Sequence, residues 1–214
     1  TKSSADHAAK EQQAVALIDQ GKLQDAEAIY KDLISIGTSN HIVYGNLAAI
    51  CLLQSRHDES IPLLQKAIQL NPNDPDTYIN LGNALQEQGE LTAAVASFKR
   101  ALQLNPNDPD AHHNLGRLLK EQGNLDAAIA SFKKALQLNP NNPDALNNLG
   151  TVLQEQGNLD AAIASYDSAL KLKPNHPDAH WNSSLTMLLG GDYKNGWEKY
   201  EWRTKIKTNI SQFH

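Results

Sequence analysis

Cysteine is almost absent from this chain: with Cys51 alone no internal disulfide can form, so the fold must rest on burial and hydrogen bonding. Cys51 lies between Ile50 and Leu52 in an apolar, helix-like run, which reads as an inert buried thiol compatible with a reducing, cytoplasmic setting. No apolar run approaches the roughly 18 residues that a membrane span needs, and the start, Thr1-Lys2-Ser3-Ser4, lacks the apolar centre of a signal peptide. Neither a membrane nor a secretory route is expected. The missing initiator methionine suggests a trimmed start, which leaves room for a targeting segment ahead of Thr1. Basic residues are outnumbered, 19 Lys and Arg against 24 Asp and Glu, so no basic stripe neutralises phosphates and nucleic acid is not an expected partner. Aromatic residues make up only 6% of the chain, while alanine and leucine dominate its apolar set. That bias favours closely packed helices over strands and predicts an all-α fold.

What the chain has is a period. Asn71-Pro72, Asn105-Pro106 and Asn139-Pro140 recur 34 residues apart, and Pro174 extends the series without insertion or loss. Counting with that step gives units at 7–40, 41–74, 75–108, 109–142, 143–176 and 177–210, flanked by an N-terminal tail at 1–6 and a C-terminal tail at 211–214. Asp74-Pro75, Asp108-Pro109 and Asn142-Pro143 each place a side-chain acceptor at a helix N-cap and a proline at the first helical position. The next residue, Asp76, Asp110, Asp144 or Asp178, suits the positive end of the helix dipole. Gly89, Gly123, Gly157 and Gly191 then end the first helix of a unit, and Pro72, Pro106, Pro140 and Pro174 end the second. Each unit is therefore an αα-hairpin. Two helices of about 14 residues cannot bury their apolar face alone and must stack on neighbours.

The apolar positions fit such stacking. Tyr78, Leu81, Gly82 and Leu85 lie on one face of the first helix of 75–108, with Ala94, Phe98 and Ala101 on the second. With Leu115-Gly116, Ala128, Phe132, Ala135 and Pro140 in the next unit, and Leu149-Gly150, Ala162, Tyr166, Ala169 and Pro174 in the one after, they resemble the tetratricopeptide repeat. The resemblance implies a right-handed superhelical solenoid of stacked αα-hairpins covering roughly 7–210, a single array with degenerate end units. The aromatic at the fourth position drifts to His112, Leu146 and His180, which is expected to weaken that one contact. The first unit lacks the Leu-Gly pair and the terminal proline, having Gln13-Ala14 and Thr38 there. Atypical end units suit a linear array, in which each end has one face without a neighbour.

Catalysis is not expected, because nearly every charged residue recurs with the period and no unique acid–base or nucleophile constellation stands out. Nor is a metal or cofactor. His112 and His113 point about 100° apart on a helix, and Pro177 begins a helix between His176 and His180. Turning the first helix by about 100° per residue puts positions two, five, nine and twelve opposite the core: Asp76, Ile79, Asn83 and Gln86, then Asp110, His113, Arg117 and Lys120, then Asp144, Asn147, Thr151 and Gln154. This polar, varied face is either plain solvated surface or, as the family resemblance implies, the lining of a groove that binds a protein or extended peptide. His113, Arg117 and Lys120 would make the centre of such a groove locally positive.

Position six is asparagine in five units: Asn46, Asn80, Asn114, Asn148 and Asn182. An asparagine amide both donates and accepts, so a row of them can hold a bound backbone without reading its side chains, or can bond to the neighbouring repeat and stiffen the stack. The run Asn-Leu-Gly-Asn-Ala-Leu-Gln-Glu-Gln-Gly at 80–89 is similar to repeats of the O-linked N-acetylglucosamine transferase family, and that resemblance favours the first role. All three tryptophans fall in the last unit. Tyr193, Trp197 and Tyr200, spaced i, i+4, i+7, are expected to pack on the preceding repeat. Trp181 and Trp202 stand apart, and Gly191-Asp192-Tyr193, Gly196-Trp197 and Tyr200-Glu201-Trp202-Arg203 resemble the junction between tetratricopeptide arrays and glycosyltransferase-like domains of bacterial proteins. The implied alternative is the substrate-recruiting region of a larger glycosyltransferase, with Trp181 and Trp202 docking a downstream catalytic domain.

Overall fold

The computed structural model describes residues 2–202, with side chains from Ala5 onward; the tail at 211–214 and Arg203 lie outside that range. Among the described residues there are twelve helices and no strand. In chain order they are α1 Lys2–Asp19, α2 Leu23–Ser35, α3 His41–Leu53, α4 His57–Leu70, α5 Pro75–Glu87 and α6 Leu91–Leu104. Then come α7 Pro109–Glu121, α8 Leu125–Leu138, α9 Pro143–Glu155, α10 Leu159–Leu172, α11 Pro177–Leu189 and α12 Tyr193–Tyr200. Odd-numbered helices are the first members of the hairpins. The chain forms two compact units, Thr1–Pro106 and Asn107–His214, each holding three hairpins. Consecutive helices pack on one another within each, and first helices also touch along α3–α5, α7–α9 and α9–α11. Helix α1 begins at Lys2, so the stretch read as an N-terminal tail continues the first helix.

The helix starts follow the N-cap chemistry. The Asp108 carboxylate accepts from the Ala111 amide at 2.9 Å and the Asn142 side chain from the Ala145 amide at 3.0 Å. His176 fills the same role at α11: its Nδ1 accepts from the Ala179 amide at 3.4 Å, which leaves the proton on Nε2 to donate to Asp144 at 3.0 Å. The histidine at the fourth position is also an active partner. Tyr44 and Tyr78 donate their hydroxyls to the carbonyls of Thr38 and Pro72, and His180 donates Nε2–H to the carbonyl of Pro174 at 2.8 Å. The drift to histidine at position 180 therefore keeps the hydrogen bond that the tyrosines make, contrary to the weakening expected from the sequence.

Within the hairpins the cores are built on close approach. Phe98, Phe132 and Tyr166 are fully buried, and each ring lies against the glycine of the Leu-Gly pair in its own hairpin. Cys51 is buried as well, and burial pushes its thiol pKa up, so it stays protonated. The turn after the first helix needs a left-handed residue. Gly89, Gly123 and Gly157 adopt φ of 77°, 74° and 83°, but Ser55 holds the equivalent place at φ 57°. That conformation crowds a Cβ, so Ser55→Gly should raise stability by about 0.5–1 kcal/mol in urea denaturation.

Candidate functional site

The first helices carry the candidate face, and the structure shows which of their positions reach it. In the N-terminal unit, Ala8, Gln12, Val15 and Asp19 of α1 face Ile42 and Asn46 of α3 across a cleft of about 410 Å³. Ala49, Leu52 and Leu53 at the far end of α3 face Asn80, Asn83 and Glu87 of α5 across a second cleft of about 500 Å³. Positions two, six, nine and thirteen of the hairpin therefore line the clefts. Asn46 lines the first cleft, and Asn80 and Asn83 line the second.

Position five behaves differently from its helical-wheel placement. First helices lie side by side, as α7 does with α9, and a residue at position five is caught between them. His113 is half-buried there and Asn147 is buried. Each meets the position-six asparagine of the next hairpin: the Asn148 amide donates to Nε2 of His113 at 3.0 Å, and the Asn182 amide to the Asn147 carbonyl oxygen at 3.1 Å. Asn46 is tied to the preceding hairpin instead, through the Tyr30 hydroxyl at 3.0 Å. Asn80 and Asn114 have no hydrogen-bond partner among the described residues. The asparagine row thus joins repeats at some steps and presents open amides at others. Even where one N–H is committed, the carbonyl oxygen and the second N–H remain.

The charge of the 113–120 region is more mixed than its sequence suggests. Burial lowers the His113 pKa, the neighbouring Arg117 charge lowers it further, and Asp144 and Asp110 oppose in part. Its ring stands edge-on to Phe132, with centroids 5.7 Å apart. Neutral His113 is the form that accepts from Asn148. Lys120 pairs with Glu155 at 3.2 Å, so the exposed Arg117 is the cation left without a carboxylate among the described residues. Because folding depresses the His113 pKa, its neutral form contributes stability above the ordinary value of 6.5 that is lost as pH falls through the folded value. His180 shifts the same way, chiefly through burial. Urea midpoints should therefore fall between neutral pH and about pH 5, and His113→Gln should flatten that dependence.

At the C-terminal hairpin the expectation that Tyr193 and Trp197 pack on the preceding repeat is not met: they are 64% and 56% exposed. The reason is Gly196, the smallest residue of α12, which sets the contact face. An added Cβ there would sit 2.7 Å from a Leu188 methyl, and the Gly196 carbonyl accepts from Ser184 Oγ at 3.0 Å. Tyr200 is half-buried, 5.4 Å from both Trp181 and Trp197 between ring centroids. Trp202 stacks on His180 at 3.8 Å. Trp181 and Trp202 do converge, lining one small cavity of about 190 Å³ with Tyr200. Trp181 sits at position five, but with no following first helix among the described residues it stays 41% exposed. Among the described residues no group of His, Cys, Asp and Glu is placed to hold a metal, and no helix is long and apolar enough to cross a membrane.

Models of the TPR repeat match residues 48–89, 82–123 and 116–157, and a tetratricopeptide repeat model matches 143–176. Human Protein O-mannosyl-transferase TMTC1 is 34% identical over 82 residues, which are 36% of this chain and 9% of that protein, so the match spans a small part of the relative. Among solved structures, YrrB, described as a TPR protein with an unusual peptide-binding site, aligns with a TM-score of 0.73 at 25% identity over 79% of this chain and 88% of its own. MamA from Desulfovibrio magneticus RS-1 aligns at 0.76 and 22% identity over 79% and 96% of the two chains. PilF of Pseudomonas aeruginosa aligns at 0.79 and 17% identity over 96% and 94%. The last two show the fold alone. Hairpin geometry, the Gly–aromatic contacts and family models running from 48 to 176 agree, and the chain belongs to the tetratricopeptide repeat family.

Proposed function

We propose that the chain is a non-catalytic scaffold whose first helices bind a protein or extended peptide. The observation that carries this reading is the pair of clefts between consecutive first helices, lined by Asn46, Asn80 and Asn83. The peptide-binding site named for YrrB supports it. The position-six asparagines supply donors and acceptors to a ligand backbone within each unit, Asn46 and Asn80 in the first and Asn114, Asn148 and Asn182 in the second. Arg117, beside Lys120 and His113, favours an acidic ligand residue, and its exposure limits that pairing to under about 1 kcal/mol. A peptide recovered from a display library should protect the first helices of the unit it occupies, α3 and α5 or α7 and α9, from hydrogen exchange. Protection confined to second helices would refute the assignment of this face.

A second reading, the recruiting region of a larger glycosyltransferase, is favoured by the segment shared with the O-mannosyl-transferase and by the aromatic end at Trp181 and Trp202. In that reading these two rings dock a catalytic domain. The complete reading frame decides it: a sugar-transferase domain after His214 supports the recruiting role, and a natural stop there ends it.

A further inference from the structure

Helix α3 presents an open face unlike those of α5, α7 and α9. Where α5 presents Asp76, Asn80, Asn83 and Glu87, and α9 presents Asp144, Asn148, Thr151 and Glu155, α3 presents Ile42, Asn46, Ala49 and Leu53. Ile42 is 53% and Leu53 72% exposed. Single exposed leucines are ordinary on a protein surface. These two sit at opposite ends of one helix, each in the wall of a cleft, with Val15 and Ala16 beside the first and Leu52 beside the second. No Lys or Arg lines either cleft: Glu11 and Asp19 stand in one, and Glu87 stands in the other with His57. Glu11 takes one hydrogen bond from Asn40, and Asp19 and Glu87 have no ion pair among the described residues.

We infer that the N-terminal unit takes a segment carrying two aliphatic side chains, one for each cleft, together with lysine or arginine that meets the acidic rim. This deepens the proposed function and rests on the first-helix face being the binding face. Consecutive first helices stand about 10 Å apart. The clefts are also offset along α3 by seven residues, from Ile42 to Ala49, which is about 10 Å of helix. Their separation is then about 14 Å, or about four residues of extended chain, so the two aliphatic residues stand at i and i+4. A second copy of this chain fits poorly, because it would set one acidic rim against another. An anionic lipid surface meets the same repulsion.

The test is selection from a random dodecapeptide display library on the whole chain, followed by anisotropy titration of an enriched peptide. The enriched pool should show two aliphatic residues four apart with at least one Lys or Arg. Ile42→Ser with Leu53→Ser should weaken binding about tenfold or more with only a small change in melting temperature, since both side chains are more than half exposed. Asp19→Lys should weaken it severalfold, most at low salt. Peptides that lose affinity with Asn80→Ala and Asn83→Ala but not with the serine pair would overturn this inference and leave the broader function standing. A library that yields no binder overturns both. Self-association of the parent that the serine pair abolishes would assign the clefts to a second copy and overturn it too.

Discussion

Phe132→Ala is expected to cost about 3–5 kcal/mol of stability, and adding Gly116→Ala to that variant to restore part of the loss. Phe132 is fully buried, and a Cβ built on Gly116 would lie 2.9 Å from its Cε1 and 3.0 Å from Cδ1. The ring cannot swing away, because the core encloses it. Gly116→Ala alone should therefore cost about 1–3 kcal/mol by overpacking, offset by up to about 1 kcal/mol of helix propensity. Once the ring is gone the same methyl group enters the empty space, so the two effects are far from additive. The geometry repeats at Gly82 against Phe98 and Gly150 against Tyr166, where the added Cβ would lie 2.7 and 2.6 Å from the ring. Urea denaturation of the two single variants and the double one reads the effect. A stabilising Gly116→Ala, or a double variant that equals the sum of the singles, would show that this approach does not set the hairpin packing.

The hairpins that frame this contact were legible in the sequence because they rest on local chemistry repeated at a fixed step. Proline at the first helical position, an acceptor before it, glycine after the first helix and a small residue facing an aromatic all act within one hairpin, and α5 to α10 fall where these signals place them. The misses share a different cause. Position five turned inward because a neighbouring helix packs beside it, a fact that no rotation of an isolated helix contains. Tyr193 and Trp197 turned outward because Gly196, not the aromatic stripe, permits the closest approach of α12 to α11. His176 acts as an N-cap through a ring nitrogen, at a place where the other hairpins carry Asp or Asn. The apolar face of α3 was visible as residues, Ile42 and Leu53, but its meaning depended on the clefts on either side.

The second large effect concerns the asparagines. Replacing Asn80, Asn114 and Asn148 by alanine is expected to weaken an extended ligand held in the second unit, where Asn114 and Asn148 meet it, by about tenfold or more, at about 0.5–1.5 kcal/mol for each hydrogen bond lost. Asn80 and Asn114 hold their amides open in the described structure, and Asn148 is oriented by His113 with its carbonyl oxygen still available. Their loss should change stability far less than binding, since only the Asn148 amide has a bond within the fold to lose. The effect should also vary little with ligand sequence, because an amide row reads backbone.

The most direct test of the central claim, that the first helices hold a polypeptide through these amides, is titration of one groove-bound peptide against the parent and this triple variant. The peptide is first placed on the first helices by hydrogen exchange, so its site is not in question. The expected result is a loss of about tenfold or more in affinity for a peptide held by α7 and α9, repeated with a second peptide of unrelated side chains. Equal affinity of parent and variant for a peptide located on that face would contradict it.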